Sequence, residues 1–328
     1  MTQLHDEKNP EIIKCRSTAG GAIESTVDCS QALLSFEGSP GGIAIGPDDT
    51  IWVSDSSSVT VWRVASDGTA TPALAPANQH PVGPIASPLS PAGLAVAPDG
   101  SIYIADSSGH RICAVAPDGS VRVVAGGANG YRDGTGTEAM FSHPLDVAFA
   151  PDGTCYVADT GNDRIRRIDS DGVVTTVAGS NYDYGDGRGT QARFRRPGAL
   201  TVDDNGTCWV ADTGNNVIRR IDPDGVVTTL AGEPSGGDSD GTGPRIGLRW
   251  PTGIAVGADG AVWVADHGNG AVRRVAANGA SHTLLRLTGL RWPLHLAFAG
   301  DGTLFLTATA LNGSYRPEAC LMTVGGAW

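Results

Sequence analysis

Asp146 and His295 are the two residues of this 328-residue sequence whose chemistry and positions best suit a catalytic pair. Each stands two positions after one of six prolines that are spaced 42 to 54 residues apart. The other four residues at this position are small: Gly42, Gly93, Ala199 and Gly253. Because a carboxylate and an imidazole can both transfer protons, we predict acid–base chemistry where these positions meet.

The residues directly before the six prolines also differ from one repeat to the next. They are Ser39, Ser90, His143, Arg196, Trp250 and Trp292. The histidine and arginine offer cationic or polar groups, and the indole rings could stack on a planar ligand or hold a cation. The alternative is that each Trp covers an apolar contact between repeats. His143, Arg196, Trp250 and Trp292 are therefore candidate substrate-binding residues.

His267 is a further candidate for substrate binding, because other repeats have Ser107, Thr160 or Thr213 at its position. The alternative is an exposed histidine without a role. Imidazole and carboxylate groups suit zinc and related ions, so His143, Asp146, His267 and His295 could supply two or more ligands to a divalent metal on the central axis. Nothing in the sequence requires a cofactor.

The strand-like segments that must position these residues recur once for each of the six prolines. The six prolines define repeats one to six and are Pro40, Pro91, Pro144, Pro197, Pro251 and Pro293. Each precedes a short apolar segment, a turn and a second apolar segment, and two further strand-like segments follow. The second segment ends at an Asp fifteen positions after the proline in repeats one to five: Asp55, Asp106, Asp159, Asp212 and Asp266.

Such short strands cannot bury both sheet faces alone, so the repeats must stack on one another. Radial stacking leaves only short sheet edges exposed. We predict an all-β fold, a six-bladed β-propeller with four-stranded antiparallel blades, in which repeats three and six lie on opposite sides of the axis. Repeat six lacks a fourth strand, and residues 30–38 (SQALLSFEG) resemble it. This segment should close the last blade, after an extension at residues 1–29, within one domain spanning residues 1–328.

Features that recur in several repeats are expected to build the scaffold. The turn aspartates favour bonds to nearby backbone, and we assign them a structural role. The pairs Arg166–Arg167, Arg219–Arg220 and Arg273–Arg274 are predicted to form ion pairs on strand surfaces. The links at 133–141, 186–194 and 240–248 should form loops with one short helical turn each. Tyr131, Tyr182, Tyr184 and Arg195 on these links could roof a ligand site.

Charge and composition limit the classes of partner that the protein could bind. The formal net charge of −12 opposes nonspecific binding to nucleic acid or to an anionic membrane, which leaves a small molecule or another protein. Residues 1–14 lack the apolar stretch of a signal peptide, so we expect a cytoplasmic protein. The six cysteines should be buried thiols rather than a disulfide framework.

The segments VADTGNDRIRRID (157–169) and VADTGNNVIRRID (210–222) closely resemble the NHL repeat, and the resemblance extends to all six repeats. Propellers of this type include peptide-amidating lyases, relatives of gluconolactonases, RNA- or protein-binding modules and cell-surface adhesion modules. The resemblance to the amidating lyases implies a histidine-bound metal on the axis. Their histidine directly after the blade proline is replaced here by Leu145 and Leu294, which puts a metal in doubt.

Two classes of function follow from these observations. The first is an enzyme that acts on a small organic substrate by elimination, cyclisation or hydrolysis. In it His295 is the acid or base, Asp146 is the opposing base or orienting anion, and Arg196 neutralises developing negative charge. Trp250 and Trp292 position the substrate. The second is a binding propeller without catalysis, whose rim docks a ligand, a peptide or a partner protein.

Overall fold

A computed structural model describes residues 14–15, 25–27, 34–36, 40–65, 69–74, 89–287, 291–311 and 317–324. These residues form β-strands and 3-10 turns of three residues each. The strands assemble into six sheets, and the predicted all-β propeller with four-stranded antiparallel blades is confirmed. Among the described residues, no helix is long and apolar enough to cross a bilayer.

Each sheet contains the strands of one repeat, ordered along the chain from the ring axis outwards. Repeat one contributes Pro40–Ile45, Ile51–Asp55, Thr60–Val64 and Ala70–Leu74; repeat two contributes Pro91–Val96, Ile102–Asp106, Arg111–Val115 and Val121–Gly126. Repeat three contributes Asp146–Phe149, Cys155–Asp159, Arg164–Ile168 and Val173–Ala178; repeat four contributes Ala199–Val202, Cys208–Asp212, Val217–Ile221 and Val226–Gly232. Repeat five contributes Pro251–Val256, Val262–Asp266, Ala271–Val275 and Ala280–Leu287; repeat six contributes Arg291–Phe298, Leu304–Leu311 and Pro317–Val324.

The links between repeats add two-residue strands and the predicted short turns. Gly134–Thr135, Gly187–Arg188 and Gly241–Thr242 pair with the outer strands of repeats three, four and five. The 3-10 turns that follow them are Gly136–Glu138, Gly189–Gln191 and Gly243–Arg245. Three more 3-10 turns follow the second strands, at Thr160–Asn162, Thr213–Asn215 and His267–Asn269. The prediction of one helical turn in each link is confirmed.

The turn aspartates are structural, as predicted. In repeat three, Asp159 accepts hydrogen bonds from the backbone N–H of Ser142 at 2.8 Å and from the Asn162 side chain at 2.8 Å. A carboxylate in this position ends the second strand because it holds the following turn. Repeat six has Ala308 in its place, and strand Leu304–Leu311 continues past this residue.

The first arginine of each predicted surface pair is buried, which corrects the sequence interpretation. The side chains of Arg166, Arg219 and Arg273 are 0% exposed. Arg219 donates to Asp212 at 3.0 Å and to Asp186 at 2.8 Å, so the arginine ties its own turn to the preceding link. Arg220, the second member of that pair, remains partly exposed.

Apolar side chains pack between neighbouring sheets. One cluster joins repeats five and six through Trp263, Leu285 and Leu304, and another joins repeats six and one through Leu321 and Val53. The inner strands contact one another in chain order, and the inner strand of repeat six contacts that of repeat one. The sheets therefore close into a ring, and the beginnings of their inner strands meet around its axis.

The N-terminal region adds strands to two sheets. Leu34–Phe36, within the predicted closing segment, pairs antiparallel with Pro317–Val324 of repeat six. The rest of residues 30–38 lies outside the described residues. Two strands that the sequence did not predict pair in parallel: Lys14–Cys15 with Pro317–Val324, and Ser25–Val27 with the outer strand Ala280–Leu287 of repeat five. The N-terminal region thus joins the last two sheets.

Deleting residues 1–39 is expected to lower the melting temperature by roughly 5 °C or more, because it removes these three strands and exposes two sheet edges. Thermal unfolding followed by circular dichroism measures the change. A deletion of residues 1–13 removes none of the described strands and serves as the control. Equal melting temperatures for the full chain and the chain lacking residues 1–39 would contradict this role of the N-terminal strands.

Candidate functional site

A cavity of about 560 Å³ lies at the ring axis. Its wall includes the residue directly after the proline in all six repeats: Gly41, Ala92, Leu145, Gly198, Thr252 and Leu294. This volume is within the range of about 300–1,000 Å³ that is typical of small-molecule sites. The cavity is therefore large enough to surround a small ligand at the place where the repeats converge.

The glycines one position further along, such as Gly42 and Gly253, lie close to the backbone of the neighbouring inner strand. A Cβ atom on Gly42 would lie 2.7 Å from the Cα of Gly93, and one on Gly253 would lie 2.6 Å from the Cα of His295. At these glycines the neighbouring inner strand lies too close to leave room for a side chain. This close approach explains why glycine recurs two positions after the proline.

His295 is the one residue at this glycine-rich position that lines the cavity. The inner strand of repeat six has an irregular register between Pro293 and His295, as the inner strands of repeats one, two and five also have after their prolines. The backbone N–H of His295 donates to Thr307 Oγ1 at 3.2 Å. Burial lowers the pKa of His295 to about 4, so its imidazole is neutral at pH 7 and can accept a proton. This pKa is well below the near-neutral value on which the sequence prediction rested.

Asp146 is not among the cavity-lining residues. It is 7% exposed, and its two carboxylate oxygens accept backbone N–H bonds from Val147 and Leu200, both at 2.9 Å. It also packs against Gly93, where a Cβ atom would collide with its carboxylate. Asp146 therefore bridges the inner strands of repeats two, three and four. Burial raises its pKa to about 7.

Arg196 and Trp250 line the cavity, whereas His143 does not. All three are exposed and have left-handed φ angles of 51°, 48° and 45°. Each backbone N–H donates to a side chain of the preceding repeat: that of Arg196 to Asp163, that of Trp250 to Asn216 and that of His143 to His110. These bonds hold the residue before the proline in a conformation that non-glycine residues rarely adopt.

His267 and Trp292 do not line the cavity. Their rings lie next to each other, with centroids 6.3 Å apart. His267 Nδ1 donates to the carbonyl oxygen of Pro293 at 3.1 Å. Thr160 and Thr213 make the same bond at 2.6 Å to the proline carbonyl of the repeat after their own. His267 thus replaces a threonine that links neighbouring repeats. Burial lowers its pKa, which favours a neutral ring.

The four residues considered as metal ligands do not converge. Asp146 binds backbone amides through both oxygens, His267 bonds to a carbonyl, and His143 packs against the ring of His110 with centroids 4.5 Å apart. Within the described ranges, no three His, Cys, Asp or Glu side chains are placed to hold one ion. The residues present do not fit a divalent metal on the axis, and no step of the proposed chemistry uses one.

The sequence interpretation missed part of the cavity wall. Ser56, Ser107, Thr160 and Thr213 follow the turn aspartates of repeats one to four and line the cavity. Their recurrence as small hydroxyl residues was visible in the sequence and could have identified them. The link residues predicted to roof the site do not line the cavity: Tyr131, Tyr182, Tyr184 and Arg195. Tyr184, for example, bonds to Thr229 of an outer strand instead.

Asp146→Asn is expected to change how stability depends on pH. The folded-state pKa of Asp146 is about 7, raised from 3.8, so its stabilising contribution is complete below about pH 4 and is lost as the pH rises through 7. Between pH 5 and pH 7 the wild type should lose about 2 kcal/mol relative to the variant. Urea unfolding at both pH values measures this, with Asp152→Asn on an exposed turn as the control. A difference independent of pH would contradict the raised pKa.

The fold and the cavity define a β-propeller with a ligand-sized cavity on its axis. Residues 144–235 match the model of the SMP-30/gluconolactonase/LRE-like region, and residues 89–115 and 248–274 match that of the NHL repeat. The predicted resemblance to NHL-repeat and gluconolactonase-like propellers is thereby confirmed.

Comparison with individual proteins adds distant relatives. The chain is 36% identical over 145 residues to Protein SUPPRESSOR OF QUENCHING 1, chloroplastic, from Arabidopsis thaliana, a match that covers 40% of this chain and 14% of that protein. In the first three curated relatives, the matched part spans 14%, 6% and 20% of the relative's own length. The chain thus corresponds to a small part of each of them.

Solved structures share the architecture across nearly the whole chain. A gluconolactonase from Xanthomonas campestris is 17% identical with a TM-score of 0.62, and the match covers 89% of this chain and 88% of that chain. Virginiamycin B lyase from Staphylococcus aureus is 16% identical with a TM-score of 0.58, and the match covers 87% of each chain. At these identities the likeness shows the fold alone.

Proposed function

We propose that this chain is an enzyme that binds a small organic substrate in the axial cavity and acts on it by acid–base chemistry. The observation that supports it most is the position of His295, a neutral imidazole in the wall of a ligand-sized cavity. The proposal counts each of the six sheets as one blade of a six-bladed ring. The neighbouring folds of a gluconolactonase and a lyase support a catalytic role.

In this proposal His295 is the general base. It accepts a proton from a substrate C–H bond as a leaving group departs, or from the water or hydroxyl that attacks a substrate carbonyl. The first reaction is an elimination, and the second is a hydrolysis or cyclisation. Returning the proton to the leaving atom restores the neutral ring, so each route balances without a cofactor. The protein would be a lyase, a cyclase or a hydrolase.

The other candidate residues take different roles. Arg196 would stabilise negative charge that develops on the substrate, and Trp250 would position its apolar face. We assign Asp146 a structural role, since its oxygens are occupied by backbone amides. His267 and Trp292 would support the rim next to His295, and His143 would help to hold the rim between repeats two and three.

A turnover screen tests the enzyme proposal. The purified full-length chain is incubated with pools of small lactones, esters and hydroxy acids, and mass spectrometry compares each pool with a control containing no protein. Conversion of at least one compound supports the proposal. Binding without any conversion would favour the second function, a propeller that only binds a ligand or partner. The 59% exposure of Trp250 is the observation that favours this second function.

The partner and location remain part of the proposal. The expected partner is a small molecule rather than nucleic acid or membrane, and the expected compartment is the cytoplasm. Elemental analysis of the purified protein would test metal content, and cell fractionation would test the location. Recovery of the chain with membranes or with nucleic acid would contradict these expectations.

A further inference from the structure

Formal charge is unevenly distributed over the cavity wall. Among the described residues that line it, Arg196 is the only one with a formal charge at pH 7, because the ring of His295 is neutral. The protein as a whole carries a net charge of −12. The described lining thus carries a single positive charge although the chain as a whole is acidic, and this charge favours a ligand of opposite sign.

The carboxylate that accepts the backbone N–H of Arg196 also interacts with other arginines. The half-buried carboxylate of Asp163 accepts the backbone N–H of Arg196 at 2.8 Å. Three arginines, Arg164, Arg195 and Arg196, act electrostatically on this one carboxylate. The rim between repeats three and four thus keeps an excess of positive charge. The exposed guanidinium group of Arg196 offers a planar set of donors that matches a carboxylate.

Three hydroxyl groups of the wall are not available as donors to a negative group, which leaves Arg196 as its charged partner. Thr160 and Thr213 each donate their hydroxyl hydrogen to a proline carbonyl at 2.6 Å, and Thr252 donates to the carbonyl of Leu294 at 2.9 Å. A carbonyl oxygen can only accept, so each of these hydroxyls has committed its hydrogen and keeps only lone pairs for other partners. They would repel an anionic oxygen and accept a donor group of the ligand.

We infer that the cavity selects small organic carboxylates, with the carboxylate on Arg196 and a planar body against the exposed indole of Trp250. The inference rests on the proposed site and names its ligand class. A cation held over the indole is the competing arrangement, since aromatic faces attract cations. The two arrangements require ligands of opposite charge, so binding measurements can separate them.

Benzoate, benzamide and benzamidine provide matched probes, because they share one ring and differ in charge. Their dissociation constants for the full-length protein are measured by ligand-observed NMR at pH 7 and low salt. Benzoate should bind at least fivefold more tightly than benzamide, and benzamidine should bind most weakly. Equal affinities, tightest binding of benzamidine, or no binding of benzoate up to 10 mM, a limit of roughly −2.7 kcal/mol, would each overturn the inference.

Three variants locate the residue that produces the preference for benzoate. Arg196→Gln should reduce the ratio of benzoate to benzamide affinity to about one, whereas Arg167→Gln should leave it unchanged. Arg167 is an exposed arginine of repeat three that bonds to Thr175 away from the cavity. Trp250→Leu should weaken both probes by a similar factor and preserve the ratio. A preference that survives Arg196→Gln would place the anion site elsewhere.

The inferred preference for carboxylates and the proposed catalytic activity can be disproved independently of each other. If charge preference is absent but a neutral compound is converted in a reaction that requires His295, the enzyme proposal stands with another substrate class. If carboxylates bind through Arg196 and nothing is converted, the cavity is a binding site for organic anions.

Discussion

Replacing His295 with glutamine should lower kcat/KM for any compound identified in the turnover screen by at least 100-fold. Glutamine retains much of the size of the imidazole and a hydrogen-bonding group, but it cannot accept a proton at pH 7. General base catalysis typically contributes 10²- to 10⁴-fold, which sets the size of the effect. The melting temperature should change little, because the described residues supply no hydrogen bond to the His295 ring and its backbone bond to Thr307 remains.

The pH profile of the wild type provides a second test of His295. A general base must be unprotonated, and burial lowers the pKa of this imidazole to about 4. Activity should therefore stay constant from pH 8 to about pH 6 and fall only as the pH approaches 4. His282→Gln, on the exposed outer strand of repeat five, is the matched control and should retain full activity. Full activity in His295→Gln would remove this residue from the mechanism.

A loss of activity at a pH clearly above 4 would indicate a base other than His295. His143 is the exposed candidate at the rim, and it lies against His110. The profile therefore distinguishes between a base inside the cavity and one outside it, without requiring knowledge of the substrate. His143→Gln completes the comparison and should leave the profile unchanged.

Most of the fold could be predicted from the repeat, because each turn Asp forms its hydrogen bonds with residues that are close to it in the sequence. Asp159 ends its strand by bonding the backbone of Ser142 and the side chain of Asn162, and both partners lie within the same repeat or its link. The burial of Arg166 was harder to predict from the sequence. It depends on Asp133, which lies 33 positions earlier in the chain. The same spacing separates Arg219 from Asp186, and this recurrence was the available signal.

The candidate site was harder to predict than the fold. Asp146 and His295 occupy the same position in their repeats, yet only His295 reaches the cavity. The difference lies in three-dimensional context: Leu200 of the next repeat offers an N–H to Asp146, whereas the described residues supply no hydrogen bond to the ring of His295. A single repeat does not encode what its neighbours present, so a departure from the repeat indicates a special residue without indicating which way its side chain points.

Arg219→Met should destabilise the protein by about 3–5 kcal/mol, because it leaves the wholly buried carboxylate of Asp212 without its cation. The guanidinium group also donates to the backbone carbonyls of Arg193 and Gly185, and the variant loses both of these bonds. Methionine fills much of the volume next to Phe194, so the loss measures the polar network more than a cavity. Urea denaturation at pH 7 provides the free energy of unfolding.

Arg220→Met is the matched control, since it removes the same charge from the next residue. Its side chain is 39% exposed and lies 3.9 Å from Asp222, a geometry worth less than about 1 kcal/mol. Losses of similar size in the two variants would show that Arg219 has no special structural role.

The loss in Arg219→Met should also grow with pH. Burial raises the pKa of Asp212 and the charge of Arg219 opposes this, so removing the arginine raises the pKa further. A carboxyl group with a raised folded-state pKa stabilises the fold at low pH, and this contribution disappears as the pH rises through that pKa. The variant should therefore be closer to wild type at pH 5 than at pH 8. Adding Asp212→Asn removes the titrating group, so the double variant should lose this extra pH dependence if the buried carboxylate is its source.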